Sequence, residues 1–160
     1  MVYKEDKIDK FFKYTIELCM FLIVIISLSQ VLGRYLLNTT IPWALDLAVV
    51  AGIWMVWLGS ALEIKKHGHI KMQNFVERLK PKAKLLILVI LDLLISIFLI
   101  IFLISSVNLV LNLAGIRFAS MNVSVAYMYL SAPFSAFFML LFTIKDIGND
   151  IKNYRKERIS

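Results

Sequence analysis

Four apolar runs, at about 15–37, 43–64, 85–114 and 123–144, set the strongest limit on what this chain can fold into. Each reaches the roughly 20 residues that a helix needs to cross a hydrocarbon core of about 30 Å. Charged residues gather in the gaps between them. The chain is 60% hydrophobic over 160 residues, against roughly 45–50% for ordinary globular domains. One or two such runs fit inside a soluble protein, but four in succession do not. The pattern predicts an all-α membrane protein, with four transmembrane helices forming a single domain over residues 1–160. The first run is too long for a signal peptide, and residues 29–34 lack a small-residue cleavage site, so it reads as a retained anchor. Cys19 is the lone cysteine, which leaves no internal disulfide, and it reads as a small apolar core residue.

The positive charges orient these helices. Sixteen of the 18 lysines and arginines precede the first run, separate the second from the third, or follow the fourth. The exceptions are Arg34 and Arg117. The positive-inside rule places both termini and the middle loop in the cytoplasm. A net charge of +7 spread along membrane edges does not describe a nucleic-acid-binding face, so nucleic acid is not an expected partner. Membrane lipids are.

The middle gap has its own pattern. Within 69–80, Met72, Phe75, Val76 and Leu79 fall at i, i+3, i+4 and i+7, one stripe of a helix. This predicts a short amphipathic interfacial helix between the second and third spans, with basic residues near anionic headgroups. Pro81 ends it. In the fourth run, Tyr127 and Tyr129 mark an interface, and Pro133 predicts a kink.

Ionisable groups at membrane depth cost about 2.5–3.5 kcal/mol on insertion scales and so face protein or water. Arg34 and Asp46 flank a short loop, so they read as an interhelical ion pair or as a docking contact for an external partner. On the first helix, Ser27, Gln30 and Arg34 lie within about 60° of one another, which predicts a buried polar face. On the second, Ala44, Ala48, Gly52, Gly59 and Glu63 lie within about 100°, and small residues allow close helix approach. This stripe, with Ala48, Gly52 and Gly59 as packing residues, is expected to face the bundle. Trp43, Trp54 and Trp57 then face lipid or a second membrane protein. On the third helix, Asp92 and Ser96 form one polar patch. Ser105, Asn108 and Asn112 form another, roughly 180° away. Two polar sides on one helix point to a large membrane partner.

No catalytic set is visible. His67 and His69 are the only histidines, and haem ligands would sit inside the helices. There is no phosphate loop and no nucleophile elbow. No cofactor, metal or catalytic residue is expected. Three roles fit the residues: a non-catalytic transporter subunit, a membrane assembly factor, and a self-sufficient proton-coupled multidrug-type exporter. The exporter would act as a homodimer with Asp92 or Asp46 as its proton site.

Residues 34–70 carry a resemblance. Gly33-Arg34-Tyr35 ends the first run, and Trp43-Ala44-Leu45-Asp46 opens the second. Trp57-Leu58-Gly59-Ser60-Ala61-Leu62 closes that run, and Gly68-His69-Ile70 follows a basic exit. In this order, in a four-span chain, the pattern resembles the small, DctQ-like membrane subunit of tripartite ATP-independent periplasmic (TRAP) transporters. Members often carry two adjacent acids after the tryptophan, where this chain has Asp46 alone. They often carry an acid after His-Ile, where it has Lys71-Met72-Gln73. The resemblance implies a scaffold subunit in a bacterial inner membrane. Its implied partners are a large membrane transport subunit and a periplasmic substrate-binding protein. Together they would take up an organic acid, such as a C4-dicarboxylate or a sialic acid, typically by sodium symport.

Overall fold

Proline opens two of the long helices, at Pro42 and Pro81. There its missing N–H is one that a helix start leaves unpaired in any case. The computed structural model describes residues 6–36, 38–39, 41–67 and 81–157. Its helices are α1 (Lys7–Leu36), α2 (Pro42–His67), α3 (Pro81–Leu113), α4 (Ala126–Tyr129) and α5 (Ser131–Glu157). Four helical stretches are long and apolar enough to cross a membrane, the last formed by α4 and α5 together. The interfacial helix predicted within 69–80 lies outside the described residues.

Helix neighbours follow the order α1, α2, α5, α3. The centre is therefore α5, which packs on α2 and on α3. Lipid tails are as apolar as leucine, so membrane helices associate through close packing more than through hydrophobic burial. The sequence of α5 meets that need. Ser131, Ala132, Ser135 and Ala136 are all buried, and Ala136 is 0% exposed. Ala44, Ala51, Leu58 and Ala61 form the buried stripe of α2. Phe12, Leu58, Ala61, Leu99, Met139 and Phe142 make a continuous core. By contrast, Leu99 and Ser106 are the residues of α3 buried among those described.

The buried stripe of α2 differs from the expected one. It is centred about 100° around the helix from the predicted stripe, at 100° per residue, and shares only Ala44 with it. Gly52 does face a neighbour, since a Cβ there would lie 3.9 Å from Ile23 Cδ1 of α1. Gly59 would meet nothing within 4 Å, and Ala48 is half-buried. Trp54 and Trp57 point inward and pack against the core. Trp54 lies against Phe134 at 6.2 Å, and Trp57 stacks on Phe102 at 5.1 Å.

Trp54 also makes a polar contact at a break in the last span. Pro133 lacks the N–H that would reach the carbonyl of Tyr129, so the helix is interrupted between α4 and α5. At this break the Trp54 indole N–H donates to Tyr127 O at 3.1 Å. Ser131 Oγ donates to Met128 O at 2.9 Å. Carbonyls loosened by the proline thus find donors within the chain.

A charged cluster closes the end where α1 begins. The Asp6 carbonyl accepts from Lys10 N–H, and the Asp6 N–H donates to Asp9 Oδ2 at 2.8 Å. This is the reach-back of a capping box, and it starts α1 eight residues before its apolar run. Lys65 of α2 meets Asp9 Oδ1 at 2.8 Å and Asp6 Oδ2 at 3.3 Å. The Lys65 side chain is 12% exposed and that of Asp9 is 2% exposed. Lys65 also lies 5.3 Å from the Phe142 ring centroid, so it joins α1, α2 and α5. Removing one partner of a buried pair strands the other charge, at a cost of about 3–5 kcal/mol. Asp9→Leu or Lys65→Met alone is expected to lower the unfolding midpoint in detergent sharply. The double substitution should recover most of the loss, and failure to recover it would remove the pair from this role.

Candidate functional site

The opposite end is built around Asp46 and a small hairpin that joins α3 to α4. Phe118 N–H donates to Val123 O at 3.1 Å, and Val125 N–H donates to Ile116 O at 2.9 Å. Arg117 and Ser124 form an antiparallel bridge between these two bonds. Inside the turn, Arg117 Nη1 donates to Asn122 Oδ1. Ser124 Oγ accepts from Ala126 N–H at 3.2 Å and donates to Ala114 O at 3.0 Å. It thereby ties the turn before α4 to the end of α3. At the tip, Ser120 Oγ donates to Asp46 Oδ2 of α2.

The predicted partner of Asp46 is therefore replaced. Among the described residues, no salt bridge joins Arg34 to Asp46. Arg34 is exposed. The buried face of α1 runs through Ile26 and Gly33, with Gln30 between them, and Arg34 lies about 80° off this line. Gln30 Nε2 donates to Ile41 O at 2.8 Å, tying α1 to the turn before α2. The loop comes close because Gly33 has no side chain. A Cβ there would lie 3.3 Å from Thr39 O, and Thr39 N–H donates to Gly33 O at 3.1 Å. Asn38 takes the left-handed backbone, φ 47°, a conformation that asparagine tolerates well. Ser27 is exposed, so the polar face predicted for α1 contracts to Gln30.

On α3 the two predicted patches differ in depth. Ser96 Oγ donates to the Asp92 backbone carbonyl at 2.7 Å, and Asp92 is half-buried. Ser105, Asn108 and Asn112 are exposed, along with Phe98, Ile101 and Ile104. Trp43 is exposed at the start of α2. The structure thus leaves Trp43 and the exposed α3 polar residues, Ser105, Asn108 and Asn112, on the surface and Trp54 and Trp57 half-buried against the core. Gly68, His69 and Ile70 lie outside the described residues. Among the described residues, no group of His, Cys, Asp and Glu has the makings of a metal site.

Two contacts escaped sequence reasoning. Ser120 sits in a loop with no periodicity, so nothing marked it as the partner of Asp46. Asp9 and Lys65 are 56 positions apart in charged segments that read as solvated ends. The D-x-x-D spacing at Asp6 and Asp9 was the one local signal.

The family described as tripartite ATP-independent periplasmic transporters, DctQ component, matches residues 23–153. The chain belongs to that family. The DctQ match includes the hairpin, Asp46 and Lys65, and it begins after Asp9. Two relatives come from Vibrio cholerae. The C4-dicarboxylate TRAP transporter small permease protein DctQ is 34% identical over 62 residues, 39% of this chain and 27% of that protein. The sialic acid TRAP transporter small permease protein SiaQ is 24% identical over 123 residues, 77% of this chain and 71% of that protein. The matched region thus spans about a quarter of the first relative and most of the second.

In this DctQ-family chain, the Asp46 carboxylate is expected to couple energetically to Ser120 and not to Arg34. A double-mutant cycle on Asp46→Ala and Ser120→Ala should give a coupling of about 1 kcal/mol. The cycle with Arg34→Ala should give close to zero. The reverse ranking would show that the sequence-based pairing was right.

Proposed function

We propose that this chain is the non-catalytic small membrane subunit of a TRAP-type secondary transporter. It scaffolds a large transport subunit and helps to dock a periplasmic binding protein. The complex uses an ion gradient, sodium by analogy with the family, to take up an organic acid. The names of the two relatives point to a C4-dicarboxylate or a sialic acid as the substrate class.

The observation that carries this reading is the division of surface among the helices. The central helix is buried by α2 and α3, while α3 turns outward a long apolar face interrupted by Ser105, Asn108 and Asn112. Polar amides in hydrocarbon are costly, and a neighbouring membrane protein can satisfy them. The distribution of lysine and arginine supports a cytoplasmic charged end in the bacterial inner membrane. The hairpin and Asp46 then face the periplasm, where a binding protein would arrive.

In mild detergent, the tagged chain is expected to co-purify with a much larger membrane protein encoded by the same cell. Reconstituted alone, it should transport nothing. PH-dependent transport by the isolated chain, abolished by Asp92→Asn, would instead establish the self-sufficient exporter.

A further inference from the structure

Glu17 is the one charged residue of α1 between Lys13 and Arg34, and its side chain is exposed. We infer that it anchors a helix–helix interface by pairing with an arginine on a transmembrane helix of the large transport subunit. The inference rests on the proposed scaffold role and gives the chemistry of its contact along α1.

Position is the first argument. The side of α1 that packs on the rest of the chain runs through Asp9, Phe12, Ile16, Ile23, Ile26 and Gly33. Glu17 points about 140° away from this line, at 100° per residue. Its depth is fixed by a neighbour on the same helix. Asp9 meets Lys65 where α2 passes from apolar to charged sequence. Glu17 stands eight residues further along α1, about 12 Å into the apolar run. A long lysine or arginine side chain can bend back to the headgroups from such a depth, whereas the stem of glutamate is short.

Charge is the second argument. Among the described residues, no ion pair or hydrogen bond reaches the Glu17 carboxylate. Lys13, one turn nearer the charged end, is exposed and makes no salt bridge with it. Lipid tails offer a carboxylate no donor, and ionisable groups at membrane depth face protein or water. The surroundings of Glu17 favour a cation. Tyr14 and Phe21, at i−3 and i+4, are its neighbours on the helix surface, and both are exposed. Aromatic faces attract cations. A guanidinium can grip a carboxylate through two parallel hydrogen bonds and still lay a flat face on a ring. A compact ammonium does less of both. A second copy of this chain would bring lysines to this part of α1, Lys10 and Lys13, and no arginine.

The test follows the purified complex of the full chain with its large membrane partner through dilution in mild detergent. Glu17→Gln should lose the partner roughly tenfold faster than the wild type. Its own unfolding midpoint should stay unchanged, because Glu17 takes no part in the interior. A photoreactive residue at Phe21 should mark a membrane span of the partner that contains an arginine. Exchange of that arginine for glutamate should weaken the complex, and Glu17→Arg should then restore it. Equal retention by Glu17→Gln would remove the anchor and leave the scaffold role standing. Adducts from Phe21 only to lipid or to a second copy, a marked span without arginine, or failure of the charge exchange would also overturn it. Absence of any larger membrane protein from the wild-type preparation would instead overturn the scaffold role, and the anchor with it.

Discussion

Close packing around α5 is the constraint on which the rest of the structure depends. Ser131, Ala132, Ser135 and Ala136 bring the backbone of α5 near its neighbours, and α2 answers with Ala44, Ala51 and Ala61. In a bilayer this closeness replaces the hydrophobic force that would drive a soluble core together. It also fixes which surfaces are left over. With α5 taken up by α2 and α3, and α1 added beyond α2, the outward sides of α1 and α3 stay largely uncovered.

Polar contacts then fasten the two ends. Lys65 gathers Asp9, Asp6 and the Phe142 ring, so three helices meet at one ammonium. At the other end, Ser120 reaches Asp46 while Ser124 holds both the end of α3 and the start of α4. Between them, Trp54 crosses to Tyr127 O at the proline break. Each contact satisfies a group that would otherwise sit unpaired near or within hydrocarbon. Together they give the helix set a defined register.

The sequence revealed what is periodic or long and concealed what depends on distant partners. Four apolar runs announced four helices because length and hydropathy suffice for that. The order of residues 34–70 announced the family. The break in the last span followed from the missing N–H of Pro133. Trp54 and Trp57, expected on the outward side, pack half-buried against the core, because helical angle alone does not say which side of α2 meets α5. Trp54 packs on Phe134 and finds an acceptor, Tyr127 O, at the helix break, and Trp57 stacks on Phe102. The Arg34–Asp46 pair failed for a similar reason. Opposite charges across a short loop looked sufficient, yet the close approach of the loop at Gly33 leaves Arg34 off the packed face, and a serine 74 positions away takes the carboxylate.

In the proposed scaffold role, a chain built this way contributes surface. Its interior leaves the outward faces of α3 and α1 exposed, with a tethered hairpin at one end and a charged cluster at the other. The central claim is that the outward faces of α1 and α3, and not the α2–α5 core, meet the large membrane partner. Photo-crosslinking in native membranes tests it most directly, with a photoreactive residue at Leu28, Phe98, Ile104, Leu58 or Ala136. The account requires adducts to a larger membrane protein from Leu28, Phe98 or Ile104 and none from Leu58 or Ala136. Adducts arising only from the two core positions, or only to second copies of the same chain, would contradict it.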